Sequence, residues 1–121
     1  MKKLLLLGAF VLTATFFAYP QTKDPLDSLV VCKDTQKLLL ENAFVRVIDD
    51  VIPAGGTEAM HRHKHGVVIY LTDYTAEAMN ADGTKNGGQR KAGAATWAEA
   101  VVHQVKNTGK TASHAIRIEL K

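Results

Sequence analysis

The sequence predicts an all-β domain, a sandwich or barrel of antiparallel strands. Three observations carry this expectation. From Leu38 onward, short apolar runs are separated by turn residues at intervals of roughly 8 to 12 positions, the spacing of a sandwich or barrel. No window beyond Leu38 sustains the period of an amphipathic helix, so helix is confined to residues 24–34. Glycine, proline, asparagine and aspartate cluster in the breaks, where they supply the backbone conformations that turns require.

Each element follows from local chemistry. Residues 36–40 read as a strand closed by Glu41-Asn42, and residues 44–52 as a second that stops at Pro53-Ala54-Gly55-Gly56. Residues 57–65 and 66–72 continue in extended form with a break at Gly66, because glycine inside a strand marks a bend or bulge. Residues 76–80 and the stretch from Thr84 form a hairpin about Ala81-Asp82-Gly83, and Gly87-Gly88 marks a second irregularity. The last strands are 95–97, 101–106 and 113–120, the final two joined by Asn107-Thr108-Gly109-Lys110.

Strand parity assigns faces. On the last strand His114, Ile116, Ile118 and Leu120 share one side, which reads as the core side, with His114 a core or rim residue and Glu119 turned to solvent. Around the histidine run, His61, His63, His65, Val67, Ile69 and Leu71 share a side if Gly66 leaves the phase unchanged. Glu58 has the opposite parity to His61 and is expected to face solvent.

The chemistry concentrates in His61, Arg62, His63, Lys64 and His65, with His103 far downstream. Alternate side chains of a strand point the same way, so His61 and His63 aim together, and a second strand can bring His103 beside them. Neutral imidazole is the commonest metal ligand, and three of them leave coordination positions open for water or substrate. A lone histidine would be read as a packed polar residue. The pair plus His103, with Met60, Val101 and Val105 as apolar company, is read as a metal site. His65 sits at the break and is expected at the rim. Trp97 and Tyr70 are read as packing residues.

The chain as a whole narrows the classes. Its 121 residues allow one domain. Lys2 and Lys3 precede an apolar stretch from Leu4 to Ala18, the layout of a secretory leader and too short to span a bilayer comfortably. The expected division is a signal peptide at residues 1–21, an N-terminal extension at 22–37 and the β-barrel at 38–121. The exported product would be periplasmic or secreted, with no stable membrane insertion once the leader is removed. The 15 basic and 12 acidic residues become 13 and 12 without Lys2 and Lys3, a balance of +1. No basic run remains to follow a nucleic-acid backbone. Cys32 is the only cysteine, so an intrachain disulfide is excluded, and a small buried apolar role is expected.

These residues resemble the cupins. That family's first motif is a glycine, five residues, His-x-His, three or four residues, then a glutamate, and Gly55 followed by His61 and His63 matches its opening half. The second motif ends in a histidine and an asparagine separated by three residues, which His103 and Asn107 match. The likeness spans about residues 38–120 and extends to small exported cupins, some associated with β-alanine degradation. It implies a cupin-like double-stranded β-helix, a jelly-roll barrel. The departures matter as well: the motif glutamate should fall at 67 or 68, where Val67 and Val68 stand. Positions matching the second motif's proline and glycines hold Ala98, Ala100 and Ala92. The site implied is therefore three neutral histidines, with Val67 filling the space of the missing carboxylate. The uncompensated charge of a divalent ion would then favour an anionic ligand or hydroxide.

The function expected is a metal-dependent enzyme, an oxygenase, lyase or isomerase, acting on a small anionic organic molecule. One divalent transition metal, iron, zinc, manganese or nickel, is expected on His61, His63 and His103. Glu99, in the turn before the His103 strand, is the candidate catalytic base. The alternative is a non-catalytic module that captures a ligand through the same site. The expected partner is a small-molecule ligand, and a homodimer is allowed.

Overall fold

The structure is a computed structural model and describes residues 23–121. The expected leader lies outside the described residues. The first segment is held down by its own polar groups. Asp27 caps a single helical turn, α1 (Ser28–Val31), by accepting from the Leu29 amide at 2.9 Å. Leu26 accepts from the Arg62 amide at 2.6 Å, and the Arg62 guanidinium meets Asp24 at 2.6 Å.

Nine strands follow: β1 (Gln36–Glu41), β2 (Val45–Ile52), β3 (Thr57–His63), β4 (Gly66–Tyr70), β5 (Tyr74–Asn80), β6 (Lys85–Arg90), β7 (Ala95–Ala98), β8 (Val101–Asn107) and β9 (Ser113–Leu120). They form two antiparallel sheets, one in the order β1-β2-β9-β4-β7 and the other in the order β3-β8-β5-β6. The all-β expectation therefore holds, and among the described residues the only helix lies inside the stretch reserved for it. Gly55, at φ 75°, makes the turn between β2 and β3, a conformation that disfavours a side chain. Gly66 starts β4 so close to β9 that a Cβ would lie 1.9 Å from the Ile118 carbonyl oxygen. Gly87 and Gly88, expected to be irregular, pair in unbroken register with β5, because the turn at Gly83 alone closes that hairpin.

The inner faces are only partly apolar. Ile52, Ala76 and Val105 make a small cluster flanked by Tyr74 and Ala78. Gln36, Glu58, His61, His63, Asn107, Ser113, Arg117 and Glu119 are buried as well. Asn107 staples one end of the barrel, donating to the carbonyls of Ile52 and Thr111 at 2.9 Å and accepting from the Gly109 amide at 2.9 Å.

This polar interior overturns three expectations. On β9 the parity is as read but the faces are exchanged: Ser113, Ala115, Arg117 and Glu119 are buried and the apolar set is only half-buried. The charges turn inward because they find partners there, so Glu119 is fully buried rather than solvent-facing. On β3 the register slips between Glu58 and His61, three residues there answering two on β8. The extra residue is a bulge, and it brings Glu58 onto the same side as His61, only 3 % exposed. Finally, the Lys64-His65 corner passes the chain from one sheet to the other and reverses its phase. Val68 therefore faces inward and Val67 outward, so Val67 does not occupy the interior space of the missing glutamate.

Candidate metal centre

β3 and β8 pair with His61 directly opposite His103, and His63 lies two residues along β3 on the same face. The three ring centroids are 4.7, 4.9 and 5.6 Å apart, and one nitrogen from each ring lies within 4.8 Å of the others. His61 and His63 are buried, and His103 is half-buried at the wall of a cavity.

Their hydrogen bonds fix which nitrogens are free. His61 Nδ1 lies 2.7 Å from the Ala59 carbonyl oxygen, and His63 Nδ1 lies 2.6 Å from Glu119 Oε1. Both partners are acceptors, so both Nδ1 atoms carry hydrogen and both Nε2 atoms carry lone pairs. Those two Nε2 atoms face each other at 3.0 Å. Two lone pairs at this distance repel unless a cation or a proton lies between them. The proton is disfavoured: burial, then Arg117, hold the His63 imidazole far below its ordinary range. Burial, then His61 and His63, lower His103 to about 3. Two nitrogens bound to one ion by bonds of about 2.0 to 2.1 Å would stand roughly 3 to 3.5 Å apart. The residues present thus fit a transition metal ion.

Carboxylates surround the histidines at positions that parity misplaced. Glu58 Oε2 is 3.7 Å from His61 Nε2, and Glu58 also accepts from Thr35 Oγ1 and from Gln36 Nε2 at 3.1 Å. Glu119 accepts from Arg46 at 2.7 Å besides His63, and Arg46 reaches Asp27 at 2.5 Å. The expectation that Glu58 faces solvent is thereby corrected: a buried carboxylate stands beside His61, while the cluster of His61, His63 and His103 itself contains none. Cys32 joins Glu58 and His61 in a second cluster of potential ligand atoms within 4.8 Å. Burial pushes its thiol up to about 12, which keeps it protonated and unreactive, in line with a packing role.

The centre opens onto a cavity of about 550 Å³ lined by, among others, Asp50, Glu58, His63, His103, Arg90 and Arg117. Arg117 is buried, and its nearest carboxylate, Glu119 at 3.7 Å, is already engaged by His63 and Arg46. Its guanidinium otherwise donates to the Lys64 carbonyl at 3.4 Å and so retains unused donors. Asp50 Oδ1 is buried without a hydrogen-bond partner among the described residues. Burial, then Glu58, push the Asp50 carboxyl well above the usual carboxylate range. Asp50 and Arg117 were not singled out in the sequence. The available signal was their alternation with apolar residues on β2 and β9, whose opposite parity is apolar apart from Asp49 and His114.

The remaining sequence-selected residues lie elsewhere. His65 is exposed, its ring 5.8 Å from that of Trp97. His114 pairs with Asp49 at 2.6 Å on the outer side. Glu99 stands at the cavity rim, where it accepts from Trp97 Nε1 at 2.7 Å.

No description of a known protein family matches the sequence, and neither does any curated protein. Solved structures do. A cupin domain from Bordetella pertussis is 27 % identical over 71 % of this chain and 91 % of its own, with a TM-score of 0.65. A cupin-like protein from Thermotoga maritima matches at 20 % identity over 69 % of this chain and 65 % of its own, with a TM-score of 0.54. An RmlC-like cupin with a double-stranded β-helix fold, from Methanocaldococcus jannaschii, covers 93 % of each chain at 14 % identity, with a TM-score of 0.55. The last two speak for the fold, and the first carries the likeness into the sequence. With its two antiparallel sheets closed around an inward-facing histidine cluster, the chain has the fold of a small single-domain cupin.

Proposed function

We propose that this protein is a metal-dependent enzyme whose divalent ion is held by His61, His63 and His103 and whose substrate is a small anionic molecule entering the cavity. The observation that carries the metal is the pair of Nε2 lone pairs facing each other at 3.0 Å, each fixed by the acceptor on its own Nδ1. An ion there, when bound, would supply Lewis acidity or redox chemistry at its open positions. Preference for an anion rests on Arg117, whose unused donors line the cavity with those of Arg90. It no longer rests on a missing carboxylate. Iron, zinc, manganese or nickel suits the donor set, and an oxygenation, lyase or isomerisation step suits the cavity. The leader pattern at residues 1–21 supports export.

The second reading is a non-catalytic module that captures its ligand through the same ion. It is favoured by Glu99, the base expected from the sequence, whose Oε1 is taken up by the Trp97 indole at the rim.

Metal content per chain tests the first reading, measured on protein purified from its native compartment. Replacing His61, His63 or His103 by alanine should abolish stoichiometric metal. His65→Ala and His114→Ala should retain it. Equal loss in all five would reduce the cluster to a diffuse histidine patch, and full retention in His103→Ala would remove β8 from the site.

A further inference from the structure

The cavity beside the histidines exists because small residues stand at inward positions that a barrel of this size would otherwise fill with side chains. β5 turns Ala76 and Ala78 inward, Ala76 opposite Gly88 of β6, and β9 contributes Ala115. Ala115 pairs with Asp50 on β2 and with Tyr70 on β4, so these two side chains flank the space above its methyl group. Arg117, two residues along β9, shares that face and lies diagonal to both. All four residues line the cavity. Two of them have hydrogen-bonding capacity to spare. Asp50 Oδ1 is buried and lacks a hydrogen-bond partner among the described residues. Arg117 reaches Glu119 only at 3.7 Å and the Lys64 carbonyl only at 3.4 Å, which leaves N–H groups of its fork unengaged. Buried polar groups that the chain leaves unpaired carry a free-energy penalty, which a bound molecule with matching groups removes.

We propose that this floor is a carboxylate subsite selecting a small hydroxy acid with a single negative charge, its carboxylate held by Arg117, its hydroxyl by Asp50, and its carbon skeleton against Val68, Ala76 and Val105. The proposal narrows the anionic substrate read above and so rests on that reading of the cavity, but the subsite uses none of the three histidines and is complete without an ion. A guanidinium presents its N–H groups in a planar fork that matches the two oxygens of a carboxylate. A second negative charge is disfavoured, because Glu58 borders the same cavity and Glu119 already offsets part of the charge of Arg117. A phosphate dianion would meet those two carboxylates with one buried guanidinium to balance it. Asp50 does not oppose the anion beside it, since burial, then Glu58, hold its carboxyl toward the neutral form. A neutral carboxyl hydrogen-bonds a hydroxyl as acceptor or donor, whereas a methylene in the same place would leave Oδ1 unpaired.

Calorimetric titration tests it, on the protein as purified and again after a chelator has stripped any metal. The probes are lactate and 3-hydroxybutyrate, their deoxy counterparts propionate and butyrate, and inorganic phosphate. At least one hydroxy acid should bind the metal-free protein about tenfold or more tightly than its deoxy counterpart, the margin expected of a site built to pair a hydroxyl. Phosphate should bind more weakly than that acid. Asp50→Ala should erase the preference and leave the affinity for the deoxy acid unchanged. Arg117→Gln should weaken both acids by about tenfold or more, as loss of a charge-assisted fork requires. Were Arg117→Gln to fail to fold, Arg117→Lys decides, since it keeps the charge, loses the fork and should still weaken both. Equal affinity for hydroxy and deoxy acids, or unchanged binding in a folded Arg117 variant, would overturn the proposal. Binding that appears only with metal loaded would place the anion on the ion, overturning the subsite and leaving the metal reading intact. Binding by a protein that never carries metal would sink the metal reading and leave the subsite standing.

Discussion

His63 and Glu119 are 56 residues apart in sequence and meet inside the barrel at 2.6 Å between Nδ1 and Oε1. The contact does two things at once. It settles the imidazole tautomer that leaves Nε2 free to bind, and it ties the histidine strand of one sheet to the last strand of the other. Arg46, on the strand beside β9, donates to the second oxygen of the same carboxylate and prevents it from swinging away.

Glu119→Gln should keep the shape of this contact while removing its charge. A neutral amide makes the imidazole a poorer donor to a metal, so affinity should fall by roughly 10- to 100-fold, as is typical when the partner of a ligating histidine is altered. Competition with a chelator of known affinity measures it. Glu119→Ala should in addition destabilise the fold by about 3 kcal/mol, because a buried ion pair then loses one member. Unchanged affinity in Glu119→Gln would mean that the carboxylate only holds the sheets together.

Gly66→Ala should be among the most damaging of the small substitutions. Its new methyl would lie 1.9 Å from the Ile118 carbonyl oxygen, a backbone atom that cannot rotate aside. Overpacking against an immobile neighbour costs on the order of 3 kcal/mol. Gly87→Ala meets the Ala76 oxygen at an ordinary 3.4 Å and should shift the urea midpoint little. Equal midpoints for the two variants would show that β4 can move away from β9.

How much of this was legible in the sequence depends on the distance over which each feature is decided. The strands from Gln36 to Leu120 follow from local alternation, and the convergence of His61, His63 and His103 follows from the two-residue period once β3 and β8 pair. Glu58 was misplaced because the bulge after it adds a residue with no glycine at Ala59 or Met60 to announce it. Val67 was misplaced because a two-residue corner changed sheets as well as direction. Glu119 was sent outward by the rule that the apolar side is the core side, and Arg117 shares its parity. That rule fails here because Arg46, more than 70 residues earlier, and His63 receive the charge of Glu119 inside.

Glu58→Gln separates two roles for this buried carboxylate. As a charge 3.7 Å from His61 Nε2, Glu58 should strengthen cation binding, and its neutral isostere should weaken metal affinity by roughly tenfold or more. As a tether, it holds Thr35 and Gln36 and so joins β1 to β3. The glutamine retains a carbonyl acceptor for those donors, so the urea midpoint should move less than the affinity does. Loss of stability at full affinity would assign Glu58 to the tether alone.

Acid should destabilise the metal-free fold, and the sign can be derived group by group. His63 and His103 are depressed by burial, His103 to about 3, whereas in the unfolded chain both titrate near the ordinary value of about 6.5. Between those pH values the unfolded chain takes up protons that the folded chain refuses. Each histidine therefore contributes stability that is intact above about pH 6.5 and declines below it by up to roughly 1.4 kcal/mol per pH unit. Asp50 acts in the opposite sense: its carboxyl is raised, the folded chain holds that proton more firmly, and acid strengthens its contribution. Two histidines against one aspartate leave a net loss. Urea midpoints of the metal-free protein should fall between about pH 7 and pH 5, and Asp50→Asn, which removes the opposing group, should steepen the fall. In the same range the folded chain keeps His63 and His103 neutral, so bound metal should persist below the pH at which exposed histidines release it. A midpoint independent of pH down to about 5 would mean that the buried imidazoles accept protons in place, and the facing Nε2 pair would then be bridged by a proton rather than by a metal.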